Sequence, residues 1–206
     1  RGPDGGAGLV SRTRATDRSS TWVTAAVLTG SFVVLLYVIE LVDVIASNRL
    51  DNLGVEPRSA DGLWGVLFAP LLHAGWMHLE ANTLPVLLLG FLVLFSGISR
   101  GLQATAVIWI VGGVGVWLVA PPNSIHLGAS VLIFGWLVYL IVRGIWTRRI
   151  GQILLGIVLF LLYGSLLLGV LPGQPGVSWQ GHLFGAIGGG LAAWLIRFED
   201  ARRSVG

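Results

Sequence analysis

Cysteine and lysine are absent from this 206-residue chain, methionine occurs once, and only 11% of its residues are charged. The lack of cysteine excludes structural disulfides and thiol chemistry. Soluble domains carry about 25% charged residues. A chain at 11% charged and 54% hydrophobic, with a mean hydropathy of +0.82, is therefore a membrane protein. All thirteen basic residues are arginine, which accounts for the pI near 10.2. They are scattered without forming a basic stripe, so no nucleic-acid partner is implied.

A bilayer crossing takes about 20 mainly apolar residues. Six stretches qualify, near 22–46, 77–95, 102–120, 125–142, 150–171 and 182–196, the last expected to begin a few residues earlier. The predicted architecture is an all-α polytopic bundle over residues 22–197, between tails at 1–21 and 198–206. The first tail, rich in Gly, Ser and Arg, reads as disordered. The chain opens on Arg1, so its natural N-terminus is expected upstream. No small-residue cleavage site followed by a soluble domain occurs, so the first apolar stretch reads as a span, not a signal peptide. Residues 47–76 form a long loop whose second half, "LWGVLFAPLLHAGW", is too apolar for water and too short to cross; it is expected in the interface. With the N-terminus cytoplasmic, eleven of the thirteen arginines fall on the cytoplasmic side and only Arg49 and Arg58 on the other. That asymmetry places both termini inside. Glu40 and Asp43 then sit near the outer end of the first span, where an interfacial position bonded to loop groups or to water is expected, and most of the nine tryptophans fall near span ends.

In this topology the second, fourth and sixth spans all start on the outer face. The second begins "HAGWMHLEAN", the fourth carries "SIHLGAS" and the sixth begins "GHLFGAIGGG". Three polar clusters therefore share one side and one shallow depth, as parts of a single site would. Serine and histidine on different helices can act as nucleophile and general base, here Ser130 and His182. His78 and Asn82, spaced i, i+4, share a helix face, and both side chains can donate hydrogen bonds. Ser130 is expected about one turn into its span, near unpaired backbone N–H groups that favour negative charge, and Gly128 permits close approach. Glu80 projects about 200° from His78 and makes a poor partner. No carboxylate presents itself for His182, so the pair is a dyad. His126 is expected at the head of the fourth span, exposed to water.

The chain resembles rhomboid intramembrane serine proteases of the six-span bacterial type. The likeness rests on His73, His78 and Asn82 in the spacing His-x4-His-x3-Asn, on Gly128 and Ser130 as Gly-x-Ser, and on His182, Gly185 and Gly189 as His-x2-Gly-x3-Gly. The resemblance implies Ser130 as nucleophile and His182 as base, with His78, Asn82 and the Ser130 N–H as oxyanion hole. It also implies that Phe134 stacks on His182, that Gly185 and Gly189 let the sixth span pack on the fourth, and that His73 is structural near the water-accessible mouth. Single-span membrane proteins, cut at small residues near the outer face, would be the substrates, and no cofactor is required. Two departures stand out: Val131 replaces a usual glycine after the serine, and Trp64 is followed by Gly65 where a Trp-Arg pair is common.

Other classes find less support. HExxH is absent, His73 and His78 do not share a helical face for a metal, and no paired aspartates lie inside spans. The glycines at 112–115 and 188–190 read as helix packing and not as phosphate loops. A transporter would show inverted repeats, which the spans lack. The alternative reading is a catalytically silent rhomboid-like protein that binds membrane clients, with Val131 as its one argument. The all-arginine, Ala/Gly/Val/Leu-rich composition suggests a GC-rich bacterial genome, and a bacterial inner membrane is the expected location.

Overall fold

The structure, a computed structural model, describes residues 6–203 except Pro175, with side chains from Ser20 to Arg197. Seven α-helices follow one another among the described residues: α1 (Gly6–Ile45), α2 (Gly62–Phe68), α3 (Trp76–Phe95), α4 (Ile98–Val119), α5 (Ser130–Thr147), α6 (Ile150–Tyr163) and α7 (Trp179–Arg203). Short 3-10 segments cover Leu50–Leu53, Ala69–Leu71 and Gly164–Val170. Among the described residues five helical segments are long and apolar enough to cross a membrane: Ser20–Ile45, Trp76–Phe95, Ile98–Val119, Ser130–Thr147 and Ile150–Val170. The sixth expected span is α7. Its 25 residues are long enough, but Gln180, His182 and its glycines dilute its hydropathy below that of the other five. A helix held at the centre of a bundle meets neighbours more than lipid and can carry such residues.

α5 is the hub, packed against α3, α4, α6 and above all α7. Small residues make the α5–α7 contact close. A Cβ on Gly185 would overlap the carbonyl of Val131, and one on Gly189 the carbonyl of Gly135. Gly135 in turn faces Ile108 of α4, with no room for a side chain. In lipid no hydrophobic effect drives helices together, so close backbone packing of this kind carries the association. Around the seam Leu132, Leu137, Tyr139 and Ile108 are fully buried, while α1 and α6 expose broad apolar faces suited to lipid.

The loop between α1 and α3 is a built element. α2 buries Gly62, Gly65 and Val66 and exposes Leu63, Trp64, Leu67 and Phe68, an amphipathic face suited to the interface. In the absence of the common Trp-Arg pair, other donors anchor the loop. Trp109 Nε1 donates to Val66 O (2.8 Å), Trp117 Nε1 to Ser59 O (2.8 Å) and Arg58 Nη1 to Leu118 O (3.1 Å). Gly65 lies directly on the backbone of Gly54. These tryptophans thus serve as internal donors, and Trp136, buried in α5, donates to Thr105 Oγ1 (2.9 Å).

Other boundaries differ from expectation. The fourth span starts at Ser130 and not near residue 125: Pro121 and Pro122 lack N–H groups, and Asn123 (φ 63°) and Gly128 (φ 123°) leave helical space. The outer end of the fifth span tightens into 3-10 geometry from Gly164. The tail read as disordered is helical from Gly6 onward, continuous with the first span, since each added residue of a formed helix gains a hydrogen bond. Residues 1–5 and 204–206, the ends of the two tails, lie outside the described residues. Glu40 and Asp43 are buried, and Asp43 bonds a loop group as expected, its Oδ1 accepting the Leu50 N–H (2.7 Å).

The seam is open to direct test. Gly189→Ala forces a Cβ into the α5 backbone and is expected to destabilise by about 1–3 kcal/mol, the cost of overpacking. Gly190→Ala, next to it but facing open space, is expected to be neutral or mildly stabilising, since alanine is the better helix former. Thermal unfolding midpoints of the two variants in the same detergent check the contrast.

Candidate functional site

Ser130 is the first residue of α5, and the sequence around it explains why. Gly128 and Ala129 form a turn that cannot extend the helix backwards, so Ser130 and Val131 keep N–H groups without an intrahelical acceptor. The turn is held from three sides. Gly128 N donates to Ala69 O (2.8 Å), Ala129 N donates to His73 Nε2 (3.3 Å), and His126 pairs with Val55 in an antiparallel bridge. The interfacial loop thereby fixes the position of the serine.

His182, in the first turn of α7, meets Ser130 across the seam: Nε2 lies 3.0 Å from Ser130 Oγ. Its Nδ1 lies 2.9 Å from Gly169 O. A carbonyl can only accept, so Nδ1 carries the proton, and Nε2 presents its lone pair to the serine hydroxyl. Phe134, one turn after Ser130, stacks on the imidazole at 3.9 Å between centroids and 8° between planes. Three contacts on one ring leave it a single orientation. Gly169 is the member that sequence reading missed; a backbone acceptor in a 3-10 turn has no side-chain signature.

His78 and Asn82 reach the same place from α3. The Ala74 N–H points at His78 Nδ1 (3.4 Å), which makes Nε2 the protonated nitrogen and a donor. The His78 ring lies against Gly128, where a Cβ would sit 2.8 Å from Cε1 and 3.0 Å from Nε2. The close approach required of Gly128 is therefore to His78, and its φ of 123° demands glycine as well. Asn82 Nδ2 spends one hydrogen on His78 O (2.9 Å) and has a second to offer. Glu80 is exposed, away from the site. Ser130, His182, His78 and Asn82 all line one open cavity of about 810 Å³ between α3, the 3-10 segment Gly164–Val170 and the loop before α7.

Two histidines depart from expectation. His73 is 2% exposed, beneath the serine turn and not at the mouth, with its ring edge-on to His78 at 5.2 Å. Burial, helped by neighbouring His78, pushes its pKa down to about 3, so it stays neutral as the acceptor for Ala129 N. His126 does not head a helix in water. Its Nε2 lies 2.9 Å from Ser124 Oγ and its Nδ1 2.7 Å from Ser178 Oγ, and burial lowers its pKa. Ser178–His126 is thus a second serine–histidine pair, but its chemistry is already committed. Ser124 Oγ donates to Pro121 O (2.6 Å) and so accepts from His126, while Ser178 Oγ caps α7 by accepting the Gly181 N–H (3.2 Å). The pair ties the loop before α5 to the loop before α7.

Val131 does not fill the main cavity. Its Cγ2 occupies the place of the missing side chain of Gly112 on α4, so the larger residue on one helix is matched by the smaller on the other. Among the described residues no group of His, Asp and Glu could hold a metal ion.

Residues 60–198 match the family described as "Rhomboid domain". An uncharacterized protein of Mycobacterium tuberculosis is 48% identical, over 92% of this chain and 82% of its own length. A relative from Mycobacterium leprae is 45% identical, over 91% and 77%. The Bacillus subtilis protein named "Putative rhomboid protease YdcA" is 34% identical, over 74% and 75%.

Two outcomes follow from this geometry. Gly128→Ala is expected to abolish any chemistry at Ser130 while leaving the helices folded, whereas Val131→Gly should change reactivity less than about threefold, the effect of a residue outside the cavity. Reaction rates with a serine-directed probe, with circular dichroism as the fold control, check both. His73 binds its proton less readily folded (pKa about 3) than unfolded (near 6.5), so its contribution to stability is present above about pH 6.5. That contribution is lost as pH falls toward 3. Unfolding midpoints against pH should fall in this window, and less steeply for His73→Asn.

Proposed function

The chain belongs to the rhomboid family, and from that premise we propose that it is an intramembrane serine protease using a Ser130–His182 dyad. The observation that carries the proposal is the 3.0 Å contact between Ser130 Oγ and the unprotonated Nε2 of His182. Ser130 Oγ attacks a substrate peptide carbonyl as its proton passes to Nε2. The carbonyl oxygen becomes an oxyanion, stabilised by His78 Nε2–H, the free hydrogen of Asn82 Nδ2 and the backbone N–H of Ser130. Phe134 offers its ring face to the imidazolium that forms. The C–N bond breaks, His182 returns the proton to the leaving amine, and the acyl group remains on Ser130. Water from the open cavity, activated by the same Nε2, then releases the acid and restores the serine.

The substrates are single-span membrane proteins whose helix unwinds near the outer face, because a helical peptide bond is shielded by its own hydrogen bonds. With eleven arginines on one side, the cavity faces outward and both termini face the cytoplasm. The client-binding alternative rested on Val131, and Val131 sits in the notch of Gly112; no observation at the site now favours it.

The test is reaction of the purified protein with a fluorophosphonate in detergent and in liposomes. The wild type should label, and Ser130→Ala and His182→Ala should not. Asn82→Ala is expected to label about 10²–10³-fold more slowly, the usual cost of one oxyanion donor. Labelling that persists in Ser130→Ala would refute the assignment.

A further inference from the structure

We propose that Gly169 and Pro172 form a positioning element for His182, in which proline keeps the Gly169 carbonyl free to hold the imidazole. The inference rests on the serine-hydrolase reading and names a part of the machinery that lies on neither motif helix.

In a 3-10 helix each carbonyl accepts from the N–H three residues on. At the end of Gly164–Val170 this pattern is visible, with Leu171 N donating to Leu168 O (3.0 Å). The next carbonyl is that of Gly169, and the residue due to donate to it is Pro172, which has no N–H. An α-type turn would use Gly173 instead, but its φ of 124° turns the chain away. Among the described residues no backbone N–H donates to Gly169 O. The donor it has is His182 Nδ1, at 2.9 Å.

Position 169 must also be glycine. A Cβ there would lie 2.9 Å from Phe134 Cζ and 3.1 Å from His182 Nδ1, between the two stacked rings and the carbonyl. The pair thus does two things: glycine lets the turn reach the ring, and proline removes the competing donor. In place of the carboxylate that orients histidine in a triad, this chain uses an uncharged carbonyl. A carbonyl avoids burying an anion at membrane depth.

The test reads the tautomer and the reaction rate separately. The chain has four histidines, so ¹⁵N labelling of histidine gives a tractable spectrum, with His182 assigned from His182→Asn. In the wild type His182 should be protonated at Nδ1. Pro172→Ala restores the competing N–H and should shift the ring toward the Nε2-protonated tautomer. It should also slow fluorophosphonate labelling roughly tenfold, the equivalent of one hydrogen bond.

Two backbone esters cover the case in which Pro172→Ala disturbs folding. 2-Hydroxy-3-methylbutanoic acid in place of Val170 makes the Gly169 carbonyl an ester, a weaker acceptor of the same shape, and should reproduce both changes. 2-Hydroxy-4-methylpentanoic acid in place of Leu171 removes the bond to Leu168 O but leaves the Gly169 carbonyl an amide, and should produce neither. Equal effects of the two esters, or an unchanged tautomer in both Pro172→Ala and the Val170 ester, would overturn the proposal. An unreactive wild type with the Nδ1 tautomer in place would instead count against the hydrolase reading alone.

Discussion

The approach of α7 to α5 is the constraint on which the rest depends. Val131 O and Gly135 O of α5 lie where side chains at Gly185 and Gly189 would have to be. Only at this separation can His182, one turn before Gly185, hydrogen-bond Ser130, one residue before Val131. The glycines that make the seam cost helix propensity, about 1 kcal/mol each relative to alanine. Packing within the membrane offsets that cost, and the catalytic distance comes with it.

Around this seam each of the four histidines has at least one defined hydrogen-bond partner. His182 gives Nδ1–H to Gly169, His78 takes the Ala74 N–H, His73 takes the Ala129 N–H, and His126 is shared between two serines. Each bond also fixes a tautomer. Four neutral histidines therefore act in different ways. His182 presents a lone pair to Ser130 and His78 a proton to the cavity, while His73 and His126 brace the loops that carry them. The interfacial loop shares in this bracing, since Ala69 and Val55 hold the turn before Ser130.

Much of the bundle was legible in the sequence because hydrophobic length is a one-dimensional signal. The grouping of Ser130, His182, His78 and Asn82 was legible too, since alternating topology forces the starts of three spans to one side. The start of α5 was misplaced because "SIHLGAS" is apolar enough to pass for helix, and only the turn geometry at Gly128 and the bridge at His126 show otherwise. Gly169 was invisible because its contribution is a main-chain oxygen whose availability depends on a proline three residues away. The match of Val131 to Gly112 escaped notice for a related reason. It pairs residues on different helices, and spacing along one chain does not report which faces meet.

Ser130 acting with the donors of α3 is the central claim, and the most direct measurement is a crystal structure of the fluorophosphonate-treated protein. Phosphorus bonded to Ser130 Oγ, with the phosphoryl oxygen within hydrogen-bond distance of His78 Nε2 and the Ser130 N–H, is the predicted result. Phosphorus on Ser178, the other serine paired with a histidine, or a phosphoryl oxygen turned away from His78 into the open cavity, would contradict it.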